Sequence, residues 1–220
     1  MRTSRAVLTT SLLATVVLAG CTSDPGDTQA TETTDDGIEG SIPDNGWWCR
    51  MFDEEVVATA TEGRTDLARE VLRKNDEEGW QCEVVLPVDG GPETEAVLTL
   101  TIAVNDEEAA ETLRADAGAA DADLGPDYLG ESYVYPGTVV AIVPCGGPVG
   151  TPLAGSRVPY AVSVVAHSQA GRQMTDELVP PARRTVVDLD MTTGCYPKLA
   201  DRPDGEGGDG STATEAPQQG

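Results

Sequence analysis

Apolar residues recur along the chain with two different periods, and the switches between them divide it into elements. In "AVLTLTIAV" they alternate, which places Leu98, Leu100, Ile102 and Val104 on one face of a strand. "WQCEVVLPV" precedes it, with the turn-rich "DGGPET" between, so the two segments read as an antiparallel hairpin. "TVVAIVPC" and "VPYAVSVVAHS" read as two more strands, joined by the Gly- and Pro-rich loop "GGPVGTPLAGSR". Other stretches carry the helical period. "CRMFDEEVVATATEG" reads as a short helix capped by Asp53, with Glu54 and Glu55 at its positive end and Gly63 as its stop. "TDLAREVLRK" reads as a second, with Leu67 and Val71 on one face and Glu70–Lys74 as an i,i+4 pair. "NDEEAAETLRADA" is a third, capped by Asn105 or Asp106. "PPARRTVVDLDMTTGC" closes the set, with proline in its first turn, Gly194 after its end, and Ala182, Val186 and Leu189 as its inward stripe. "DADLGPDYLGESYVYPG" is loop-like. Hairpins without strict βαβ alternation predict an α+β domain: an antiparallel sheet with three to four helices.

The two ends of the chain lack this pattern. Residues 22–46 hold seven acids, no basic residue and few apolar groups, and cannot bury enough surface to fold. A flexible linker of that length spans roughly 25–30 Å. Residues 199–220 are rich in Gly, Pro and acids and are expected to be disordered as well. The folded domain is expected over 47–198, a length that fits one core.

The first twenty residues are different again. Arg2 and Arg5 precede an apolar run from Ala6 to Ala19, interrupted only by hydroxyl residues. That run is shorter than the ~20 residues a spanning helix needs; it has the layout of a secretory signal. It ends Leu18-Ala19-Gly20-Cys21, which resembles the lipobox of bacterial lipoproteins. The resemblance covers residues 1–21. It implies a signal peptide over 1–20, a diacylglyceryl group on the Cys21 sulfur, cleavage just before Cys21, and anchoring at the extracytoplasmic face of the cell membrane. A thiol suits that transfer because sulfur is the strongest side-chain nucleophile near neutral pH.

Charge narrows the partners. The chain has 14 Lys+Arg against 38 Asp+Glu. Loss of residues 1–20 removes only two arginines, leaving a formal charge of −26. Such a surface repels nucleic acid backbones and anionic lipid alike, so attachment to a membrane falls to the lipid on Cys21. The remaining cysteines are Cys49, Cys82, Cys145 and Cys195. An even number in an exported chain predicts disulfides, and no C-x-x-C pair points to zinc. Of three possible pairings we expect Cys49–Cys82 and Cys145–Cys195. The first would fasten the helical segment to the sheet, and the second would hold the last helix against it.

Catalytic candidates are few. His167 is the only histidine. Ser163 and Ser168 lie near it in sequence, but no G-x-S-x-G elbow is present. Asp121, Asp123 and Asp127 lack the glycine and glutamate spacing of an EF-hand. "GGPVGTPLAG" lacks the G-K-[ST] ending of a phosphate loop. Trp47, Trp48 and Trp80 are candidates for a ligand groove or, in a chain with one Phe, for the core.

From Cys49 through "VVATATEG" to "GWQCEVVLP" and its partner strand, the chain resembles small actinobacterial lipoproteins of unknown function. The segment is also faintly similar to sensor domains of actinobacterial receptor kinases. The expectation is a lipid-anchored, non-catalytic domain that binds an envelope protein or a small ligand, with no cofactor and no metal. Its rival is an envelope hydrolase using carboxylates.

Overall fold

The computed structural model describes residues 39–89, 91–147 and 156–200. The signal-like segment, Cys21, the tail beyond Ala200 and most of the "GGPVGTPLAGSR" loop lie outside them. Ten elements follow in order: α1 (Glu54–Ala60), β1 (Arg69–Asp76), β2 (Gly79–Pro87), β3 (Thr94–Val104), α2 (Glu107–Ala119), β4 (Asp123–Leu124), β5 (Glu131–Tyr135), β6 (Thr138–Gly146), β7 (Arg157–Ala166) and α3 (Thr175–Thr193). The seven strands form one sheet in the order β1-β2-β3-β7-β6-β5-β4, and every pairing is antiparallel. Two meanders, β1–β3 and β4–β7, therefore meet where β3 pairs with β7.

Alternation sorts the residues onto two faces. Leu98 and Leu100 of β3, Val162 and Val164 of β7, and Val139 and Ala141 of β6 point into one large core. Trp48, Phe52 and Val57 from the α1 region and Leu178, Ala182 and Val186 of α3 complete it. The opposite face carries a smaller cluster in which Ala110 and Leu113 of α2 cover Ile142 and Ala161. The expected α+β architecture is present, with three α-helices among the described residues.

Both expected disulfides are present, Cys49–Cys82 and Cys145–Cys195. Asp53 caps α1 by accepting from Val56 N, and Gly63 N donates to the Ala58 carbonyl just past its end. Asp106, one of the two expected caps, accepts from Ala109 N at the start of α2.

Four expectations are corrected. "TDLAREVLRK" is not a helix: its second half is β1, hydrogen-bonded along β2. Val71 is buried while Leu67 and Leu72 stay exposed, so pairing to β2 overrides a helix-favouring composition. The loop-like stretch contains β5, "ESYVY", whose aromatic and β-branched residues pair along β6. Helix α3 starts at Thr175, so Pro180 and Pro181 lie inside it rather than in its first turn. Folded structure also begins before Trp47: Ser41 and Glu70 exchange backbone hydrogen bonds, and Glu39 pairs with Arg73 at 3.1 Å.

Helix α2 is clamped to the sheet by charge. Arg114 donates to both oxygens of Glu131 at 2.8 and 2.9 Å, and the Tyr133 hydroxyl donates to the same carboxylate. The Glu131 side chain is only 7 % exposed. Removing one partner of such a pair strands the other charge. We expect Arg114→Ala to cost about 3 kcal/mol in urea unfolding at neutral pH. The double change Arg114→Met with Glu131→Leu should cost clearly less, because no charge is left buried.

Candidate functional site

Three places could carry chemistry or recognition. The first is the α2 side of the sheet, where Thr101 and Ser163 lie opposite each other on β3 and β7. With Ala103, Ala161, Asp106, Glu108 and Leu113 they line a shallow hollow of about 300 Å³. His167 stands just beyond β7, exposed, with Nε2 2.9 Å from the Thr99 hydroxyl. Four residue steps along the strand separate Ser163 from His167, about 13 Å. The two are therefore not brought together as nucleophile and base. Ser168 Oγ instead accepts from Gly171 N in the following turn. Among the described residues no carboxylate forms an ion pair with His167.

The second is the tight loop Trp48–Phe52. Trp48 and Phe52 exchange backbone hydrogen bonds, and Cys49 and Arg50 adopt left-handed backbone with φ 48° and 62°. The Glu70 carboxylate accepts from Cys49 N at 2.6 Å, beside the Cys49–Cys82 bridge. Cys49, Glu70 and Cys82 are the one grouping of three metal-ligand residue types among the described residues. Both sulfurs are bonded to each other, so the group straps the loop to β1 and β2. Asp121, Asp123 and Asp127 do not converge into such a grouping.

The third is the outer side of α3. Its inner side, including Leu178, Ala182, Val186 and Leu189, is buried. Its outer side carries charged residues and, among them, two exposed apolar ones: Val187 is 47 % and Met191 75 % exposed. Two arginines stack on aromatic rings here, Arg183 over Tyr128 at 5.2 Å and Arg184 over Trp47 at 4.6 Å. Arg184 also donates to the Met51 carbonyl at 2.8 Å and to Asp53 at 2.9 Å. Between Tyr128 and the helix lies a hollow of about 430 Å³, lined by Tyr128, Val179, Pro180, Arg183, Arg184 and Val187. Of the three tryptophans, Trp48 and Trp80 belong to the core and Trp47 alone stands out at this surface.

The α3 surface was missed from sequence. Pro180, Arg184, Val187 and Met191 recur at intervals of four, three and four, a second stripe beside the inward one. That spacing was the available signal.

Burial raises the Glu70 carboxyl above its ordinary value of 4.5, against the Cys49 N–H and the Arg50 charge, which lower it. The folded state thus holds the proton more tightly than the unfolded chain. The resulting stability is complete below about 4.5 and is lost as pH rises through the folded value. Glu70→Gln keeps an acceptor for Cys49 N without the buried charge. We expect it to raise the thermal midpoint at pH 7 and to leave it unchanged near pH 4. Comparison with family models, curated proteins and solved structures finds no match to this chain.

Proposed function

We propose that the chain is an exported lipoprotein held at the extracytoplasmic face of the cell membrane by lipid on Cys21, and that its folded region is a non-catalytic binding domain. The observation that carries the binding reading is the outer face of α3. Tyr, Trp, Met and Arg are the residues that interface centres concentrate, and all four meet there. The face also carries Arg183 and Arg184, the latter paired with Asp53, beside Asp188 and Asp190. Anchoring rests on the Leu18-Ala19-Gly20-Cys21 boundary and agrees with two disulfides, which persist in oxidising compartments. The rival reading, an envelope hydrolase using carboxylates, has less support, since among the described residues no carboxylate forms an ion pair with His167.

Three experiments test this. Cys21→Ala should abolish fatty-acid labelling and move the protein out of the detergent phase; unchanged labelling would refute the anchor. Capture from the native envelope should retain a partner on the natural chain and lose it on Met191→Glu. His167→Ala should leave binding intact and cost no more than the hydrogen bond to Thr99, about 1 kcal/mol. A specific loss of activity in that variant with unchanged unfolding would favour the enzyme.

A further inference from the structure

We propose that the partner of the α3 face is a second copy of the same chain, docked antiparallel about a two-fold axis. The proposal rests on the reading of α3 as the binding face. Its basis is the way hollow and projection are arranged along one helix. The hollow lies beside the N-terminal half, where Pro180, Arg183, Arg184 and Val187 stand at i, i+3, i+4 and i+7. Four residues so spaced form the hole that a knob from a facing helix enters. The knobs, Val187 and Met191, project from the C-terminal half. Pro180 and Met191 are about 16 Å apart along the axis, so a helix cannot fill its own hollow.

A copy running in the same direction would seat one knob and leave a hollow free at one end and a knob free at the other. Such a contact does not close. An antiparallel copy closes it. A two-fold axis level with the step between Thr185 and Val186 sets Met191 against Pro180 of the copy and Val187 against Arg184, in both directions at once. Within the contact, cations stand at Arg183 and Arg184 and anions at Asp188 and Asp190, while Asp176 and Glu177 in the first turn fall beyond the facing helix. At about 100° per residue Arg183 and Asp190 share one flank of the stripe, and the axis lays that flank on the same flank of the copy, so Arg183 meets Asp190 of the copy within about 3 Å along the axis, twice per dimer. The flat stacks of Arg183 on Tyr128 and Arg184 on Trp47 extend the apolar surface beyond the helix.

The test is the oligomeric state of the full chain carrying Cys21→Ala, with both disulfides formed, followed by sedimentation over a concentration series. A dimer should appear as concentration rises. Arg183→Asp and Asp190→Arg should each weaken dimerisation about tenfold or more, and the double reversal should restore it. Met191→Glu should abolish it, with the thermal midpoint unchanged because Met191 touches no core. A chain that stays monomeric at every concentration overturns the proposal, as does a dimer indifferent to the single reversals or a double reversal that fails to rescue. If the chain is monomeric while Met191→Glu still loses an envelope partner, the second copy is refuted and the binding face stands. If neither assembly nor capture responds to Met191→Glu, both readings fall.

Discussion

The pairing of β3 with β7 is the contact on which the remaining architecture depends. Its register runs from Leu98↔Ala166 to Val104↔Tyr160 and joins two meanders that are otherwise separate hairpin arrays. Only when it forms do Leu98, Leu100, Val162 and Val164 present a continuous apolar surface for α1 and α3. The partners lie more than fifty residues apart in the chain. Closing a loop of that length before any gain in burial slows folding relative to helical domains of similar size.

Around that sheet, the α1 and α3 face is held by covalent and polar ties that converge where the start of α1 meets the middle of α3. Asp53 uses one oxygen to cap α1 and the other to receive Arg184. Arg184 reaches from α3 to the Met51 carbonyl, inside the loop that Cys49–Cys82 and Glu70 strap to β1 and β2. Just past the C-terminal end of α3, Cys195 is bridged to β6. The helix is therefore fixed at its middle and its C-terminal end, and the orientation of its outer face is set by the sheet. Pro180 and Pro181 remove the bonds that Asp176 and Glu177 carbonyls would receive, and both of those residues are exposed, where water replaces them.

Strong local periodicity was legible in the sequence. Leu98 to Val104, "TVVAIVPC" and Ala182 to Leu189 all have the predicted element and inward face, and both disulfides follow from where the cysteines fall on those elements. Tertiary pairing decided the rest. β1 is an edge strand with charged residues, so the spacing of Val71 within it and Leu67 just before it reads as helical until β2 is beside it. β5 is short and framed by Gly130 and Gly137, and its partner is needed to make it a strand. The α3 surface was invisible for a related reason. A helix with two apolar stripes reveals which one is surplus only when the core has taken the other.

The sheet's two edges have a consequence of their own. β1 is bulged between Leu72 and Lys74, carries charges, and is partly covered by Ser41. β4 is only two residues long. Neither edge offers a long, flat row of unpaired backbone groups to another chain. Molecules crowded together have no ready route to strand-by-strand growth into cross-β fibres, which need extended edges in register. Close packing of many copies at high density is thus compatible with every copy keeping its own sheet intact.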